Sequence, residues 1–219
     1  MYLCIKRKVL SLISLVERVA KQTSMGLSGK SAIPNLEKIG NLIIYLVDEI
    51  ERKHRQKLYL TKLLKLIYII DETAVKETGA PVTGLEYRVW KMGPVAFDVY
   101  KDLKHENSDQ LSVYAEAKTS GDSAQITSVN RFDDSEFSDY EMELIDKIID
   151  QYGYYQKDEL IKLLHEEGSL WHKIVEVNHL EQTFKNENTS HYKIDFSELI
   201  KSDPLKLNVF KTAQESLKL

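Results

Sequence analysis

Apolar positions recur at helical spacing through most of the chain. Leu3, Leu10, Ile13, Val16 and Val19 mark a first helix over residues 2–22. Ser24, Gly26, Ser28, Gly29, Ser31 and Pro34 then read as a linker. Ile39, Leu42, Ile43, Leu46, Val47 and Ile50 set a second helix that ends in the charged stretch Glu51–Arg55. A third helix is expected from Thr61, as its N-cap, to Thr78, with Gly79 and Pro81 as the stop. Its apolar residues go nearly all round the circumference, which makes it the buried central helix.

Tyr87–Trp90 reads as a short extended piece. Gly93–Pro94 follows, with Pro94 expected in the first turn of a helix running to about Lys104. Leu111, Val113 and Ala115 alternate with polar neighbours, as do residues 125–129, and Ser120–Gly121–Asp122 lies between: a β-hairpin. Ser138–Asp139–Tyr140–Glu141 is a capping-box sequence ahead of a helix that runs to Gly153. Short helices are expected over 156–165, from Ser169 to His179, and from Asp203–Pro204 along Leu207, Phe210, Ala213 and Leu217. The fold class is therefore α+β and predominantly helical, with a small antiparallel β element. An N-terminal helix and linker over 1–35 precede a main domain over 36–219.

Charge and composition narrow the function classes. The 219 residues carry a net charge of −4, without the basic excess usual in a duplex binder. DNA binding is left open. The apolar run Val9–Val16 is too short to span a bilayer, which takes about 20 residues. No membrane segment is expected, and a single cysteine, Cys4, fits the cytoplasm. Gly29–Lys30–Ser31 resembles the end of a phosphate-binding loop, but Ser24 stands where the pattern requires glycine. His165, His172 and His179 are seven apart, about 10 Å along a helix, so adjacent ones could not share a metal. No catalytic residue, metal site or cofactor is assigned.

Four segments in series carry a resemblance. They are Lys62–Asp71 (KLLKLIYIID); Gly79–Gly84 with Tyr87; Trp90–Val95 (WKMGPV) with Val99, Tyr100 and Leu103; and Glu159–Leu160 with His165–Glu166 and Trp171. Together they resemble the Panacea domain of SocA-like antitoxins and phage-associated relatives, strongest over residues 40–180. The family's helix reads KLxKLLYxAD; Ile70 replaces its small residue, and Leu164 stands for the threonine of its THE motif. The resemblance implies a bacterial, non-enzymatic antitoxin that neutralises a cognate toxin by direct protein–protein binding, and, as in a SocA-like member, delivery to a AAA+ protease. Its motif residues here are Tyr68, Asp71, Gly93, Pro94, Val95, His165 and Trp171. Tyr87, Trp90, Met92, Phe97 and Tyr100 are the partner-contact candidates. A regulator of its own operon and a His/carboxylate hydrolase are the alternatives from other classes. Oligomeric state is left open.

Overall fold

In a computed structural model, residues 33–105, 109–121 and 123–216 are described. They fall in a unit spanning Ala32–Leu219. The expected helix over 2–22, Cys4 and Gly29–Lys30–Ser31 lie outside the described residues. Among these residues the chain forms eight α-helices, two 3₁₀ turns and two antiparallel hairpins. None of the described helices is long and apolar enough to cross a membrane.

Helix α1 (Leu36–His54) places Glu37 in its first turn and Arg52, Lys53 and His54 in its last, matching the helix dipole at both ends. Ile33 is already buried in the core ahead of it. Helix α2 (Leu60–Thr78) is the hub: 13 of its 19 residues are buried, as the all-round apolar pattern requires. Its N-cap is Tyr59 rather than Thr61. The reason is tertiary. The Leu58 carbonyl accepts from Ile126 N at 2.8 Å and Tyr59 bridges to Gln125, so the chain is held extended up to Tyr59 and the helix begins at once. Gly79 ends α2 at φ +87°, where a side chain would be strained.

Strands β1 (Tyr87–Trp90) and β2 (Gly93–Ala96) pair antiparallel across the two-residue turn Lys91–Met92. Pro94 is therefore in a strand and not in a first helical turn. It sits opposite Val89, whose amide points away from β2 and donates to Tyr192 O at 2.8 Å. At such a position the proline removes no ladder hydrogen bond. Helix α3 (Phe97–Leu103) starts three residues later.

The expected second hairpin is present as β3 (Ala115–Ser120) and β4 (Ser123–Ser128). Leu111 and Val113 do not join it. The buried Asp102 carboxylate accepts from Gln110 N at 3.0 Å and Leu111 N at 2.7 Å, coiling Gln110–Val113 into a 3₁₀ turn.

Helix α4 (Asp139–Tyr152) has the Ser138/Glu141 capping box and ends at Gly153. Helix α5 (Lys157–Leu164) has a second box, Gln156 with Glu159. Ser169 caps α6 (Leu170–Val177), which stops short of His179; His179 instead turns left-handed at φ +53° and opens α7 (Leu180–Asn186). His165, His172 and His179 thus belong to three different stretches. Asp203 accepts from the amides of Leu205 and Lys206 at the start of α8 (Pro204–Ser216), which buries Phe210.

Candidate functional site

The family-motif residues converge beneath the β1–β2 hairpin in two separate clusters. The first is built on Asp71, whose carboxylate is buried. It accepts from Thr83 N at 2.8 Å, from Tyr87 OH at 2.7 Å and from the Thr83 hydroxyl. Burial raises the Asp71 pKa, and the donated hydrogen bonds oppose that rise. Tyr68 stands beside it, edge-on to Tyr87 at 5.1 Å, with its hydroxyl 3.3 Å from Glu72 Oε1. Phe196 lies 5.5 Å from both rings. This cluster fixes the end of α2 to the entry of β1.

The second cluster grips the hairpin turn. Lys65 is buried, and its ammonium donates to the Pro94 carbonyl at 2.6 Å. Burial lowers the Lys65 pKa to about 7. Gly93, at φ +96°, lets the lysine in: a Cβ there would stand 3.2 Å from Lys65 Cε and 3.4 Å from His165 Nε2. The His165 ring stacks flat on Trp171 at 3.5 Å. Its buried Nε2 has no hydrogen-bond partner among the described residues. Burial first, then the charges of Lys65 and His172, push the His165 pKa down to about 4. Trp171 Nε1 donates to the Trp90 carbonyl at 2.8 Å. Gly93, Pro94, His165 and Trp171 are therefore neighbours, while Tyr68 and Asp71 belong to the first cluster and Val95 packs in the core. The motif reading did not single out Lys65 or Thr83. For Lys65 a signal was present, a cation on a helix whose every face is apolar.

Above the hairpin lies a groove of about 500 Å³. One wall is Arg88, Trp90, Phe97 and Tyr100. Trp90 meets Tyr100 at 4.8 Å and Phe97 at 6.3 Å, both edge-on. Phe97 also carries the Arg88 guanidinium on its face, 3.3 Å from the ring centroid, and the Lys101 ammonium at 4.6 Å. The spacing of Phe97 and Tyr100 puts both on this wall. Met92 is 44% exposed at the turn. Tyr87 is different. Strand alternation turns Tyr87 and Val89 inward and leaves Arg88 and Trp90 facing the groove, so Tyr87 is core and offers no contact surface.

The second wall is Glu187, Thr189, Ser190 and His191. This segment runs along the free edge of β1: Lys91 N donates to Asn188 O at 3.0 Å, Val89 N to Tyr192 O at 2.8 Å, and Ile194 N to Tyr87 O at 2.9 Å. Sequence patterning missed it because residues 187–193 are mostly polar and only the hydrogen bonds make them strand-like.

Among the described residues no group of three or more His, Cys, Asp or Glu side chains converges as a metal site would require. No curated protein and no solved structure matches the chain. The family model described as antitoxin SocA-like, Panacea domain, matches residues 63–172, from α2 to the start of α6. That span contains both motif clusters, apart from Phe196, and the aromatic wall of the groove, and the chain belongs to the SocA-like antitoxin family with a Panacea domain.

Proposed function

We propose that the protein is a non-enzymatic antitoxin that neutralises a cognate toxin by gripping it at the groove beside the β1–β2 hairpin. The observation that carries this reading is the aromatic wall. Trp90, Phe97 and Tyr100 are half-buried and grouped on a rigid support, with the apolar Met92 exposed close by. Rigid aromatic anchors with a polar rim are the usual centre of a protein–protein interface. The two buried clusters support the role indirectly, by fixing the hairpin that presents those rings. Family membership supports the toxin as the partner class.

The test starts from the neighbouring reading frame. Its product is expected to be toxic alone, harmless when co-expressed with this chain, and to co-purify with it. Tyr100→Ala and Phe97→Ala separate interface from core. Loss of neutralisation at an unchanged Tm supports the interface, and loss of both overturns its placement. If no neighbour is toxic and none co-purifies, the antitoxin reading fails.

A further inference from the structure

The two walls of the groove have different origins. Arg88, Trp90, Phe97 and Tyr100 lie inside the span matched by the family, while Glu187, Thr189, Ser190 and His191 lie outside it. The second wall is nonetheless tied to the hairpin by backbone hydrogen bonds at Asn188, to the turn residue Lys91, and at Tyr192, to Val89 of β1; these flank Thr189–His191, and Glu187 directly precedes the first of them.

Charge then tells the walls apart. The lining residues include one permanent cation, Arg88, and one carboxylate, Glu187. Arg88 has an internal counter-charge: its guanidinium lies on Phe97, and its buried Nε, which has no hydrogen-bond partner among the described residues, is ion-paired at 3.6 Å with Glu86 Oε1. Glu86 is paired on its other oxygen with Lys193. Glu187 has neither an ion pair nor a side-chain hydrogen bond among the described residues. Among the lining residues the charge without a counter-charge is therefore that of Glu187, an exposed side chain that shares the groove with Trp90, Phe97 and Tyr100. The chain as a whole is also negative, at −4.

We infer that Glu187 is the specificity-determining residue of the groove and selects a basic side chain of the toxin, an arginine or lysine laid against Trp90 and Tyr100. The inference rests on the proposed antitoxin function. Its physical basis is twofold. Aromatic faces attract cations, and a carboxylate beside them adds a charge that neutral side chains cannot use. The Arg88–Phe97 contact shows that this wall already accepts a guanidinium on a ring face. Because residues 187–191 lie outside the family-matched span, partner choice can change here while the supporting hairpin is kept.

Two arms test it. In the first, the full chain is titrated with the peptide acetyl-Gly-Arg-Gly-amide and with its citrulline counterpart, which keeps the shape and loses the charge. The indole N–H signal of Trp90, assigned with Trp90→Phe, is followed by NMR. The arginine peptide is expected to move it saturably, and Glu187→Gln to weaken that binding about fivefold or more with Tm unchanged. Equal binding of the citrulline peptide, or no effect of Glu187→Gln, overturns the inference. In the second arm the neighbour-encoded partner is co-purified with Glu187→Arg. Affinity is expected to fall about tenfold or more and to return when one basic residue of the partner is reversed to glutamate. Undiminished binding to Glu187→Arg overturns the inference and leaves the antitoxin reading standing. Absence of any partner for the unaltered chain sinks the antitoxin reading, while the peptide arm still decides the chemistry of the groove.

Discussion

The two hairpins are similar in local structure and opposite in tertiary support. In β1–β2, Tyr87 and Val89 and all four residues of β2 are buried. Side chains from distant elements hold it: Asp71 on Tyr87, Lys65 on Pro94 O and Trp171 on Trp90 O. In β3–β4 only Ala115, Ala124 and Ile126 are buried, and the turn at Gly121 is exposed. The first hairpin is a clamped platform, and the second is the more exposed one, held to α2's entry through Leu58 and Tyr59 and to α1 by the Ser128 hydroxyl, which donates to Asp48 at 2.7 Å. Polar side chains from distant elements reach the backbone and rings of the first hairpin, next to the groove.

The strongest way to break the platform is Asp71→Ala. It leaves Thr83 N and the Thr83 hydroxyl buried without their acceptor and Tyr87 OH with only the Ile67 carbonyl at 3.3 Å, and unfolding free energy is expected to fall by about 3–5 kcal/mol in a denaturant titration. Gly93→Ala comes next. It combines a left-handed backbone with a Cβ pressed against Lys65 and His165, and is expected to cost about 2–3 kcal/mol by the same measurement.

The third prediction uses pH. The folded-state pKa of His165, about 4, is below the ordinary histidine value of 6.5, so the folded protein binds fewer protons than the unfolded chain between those values. Stability is therefore expected to fall as pH drops from 6.5 to 4 and to level off below. Because His165 is only half-buried, solvent screening trims the effect to about 1–2 kcal/mol. His165→Phe should flatten that part of a Tm-against-pH curve; an unchanged slope would show that other groups carry it. Lys65 acts in the same direction at higher pH: its pKa is depressed from 10.5 to about 7, so stability should rise as pH climbs from 7 toward 10.5. The smallest effect is expected at the other hairpin. Gly121→Ala, at φ +58° with nothing within 4 Å, should cost about 1 kcal/mol or less and leave partner binding untouched. A larger loss there than at Gly93 would reverse the comparison.

Much of the helical frame was legible because it is written in local terms. The all-round apolar run named α2 as the hub, Ser138 and Glu141 named the start of α4, and Gly79 named a stop. The errors fall where distant atoms decide. Thr61 yields the cap to Tyr59 because β4 holds the preceding residues extended. Pro94 is a strand residue because Val89 bonds to Tyr192, more than 90 positions away.

The candidate site divides in the same way. Trp90, Phe97 and Tyr100 could be found from residue type and spacing. The turning inward of Tyr87, the approach of Lys65 to Gly93 and the second wall from Glu187 to His191 could not. What the sequence by itself determined is most of the helical segments from Leu36 onward and the family they serve, because periodicity, caps and motif residues act within a few turns of chain. Only the tertiary structure decided which polar groups are buried together and which chain segments face each other across the groove. Those pairings depend on hydrogen bonds that a residue's own neighbours in sequence neither supply nor forbid.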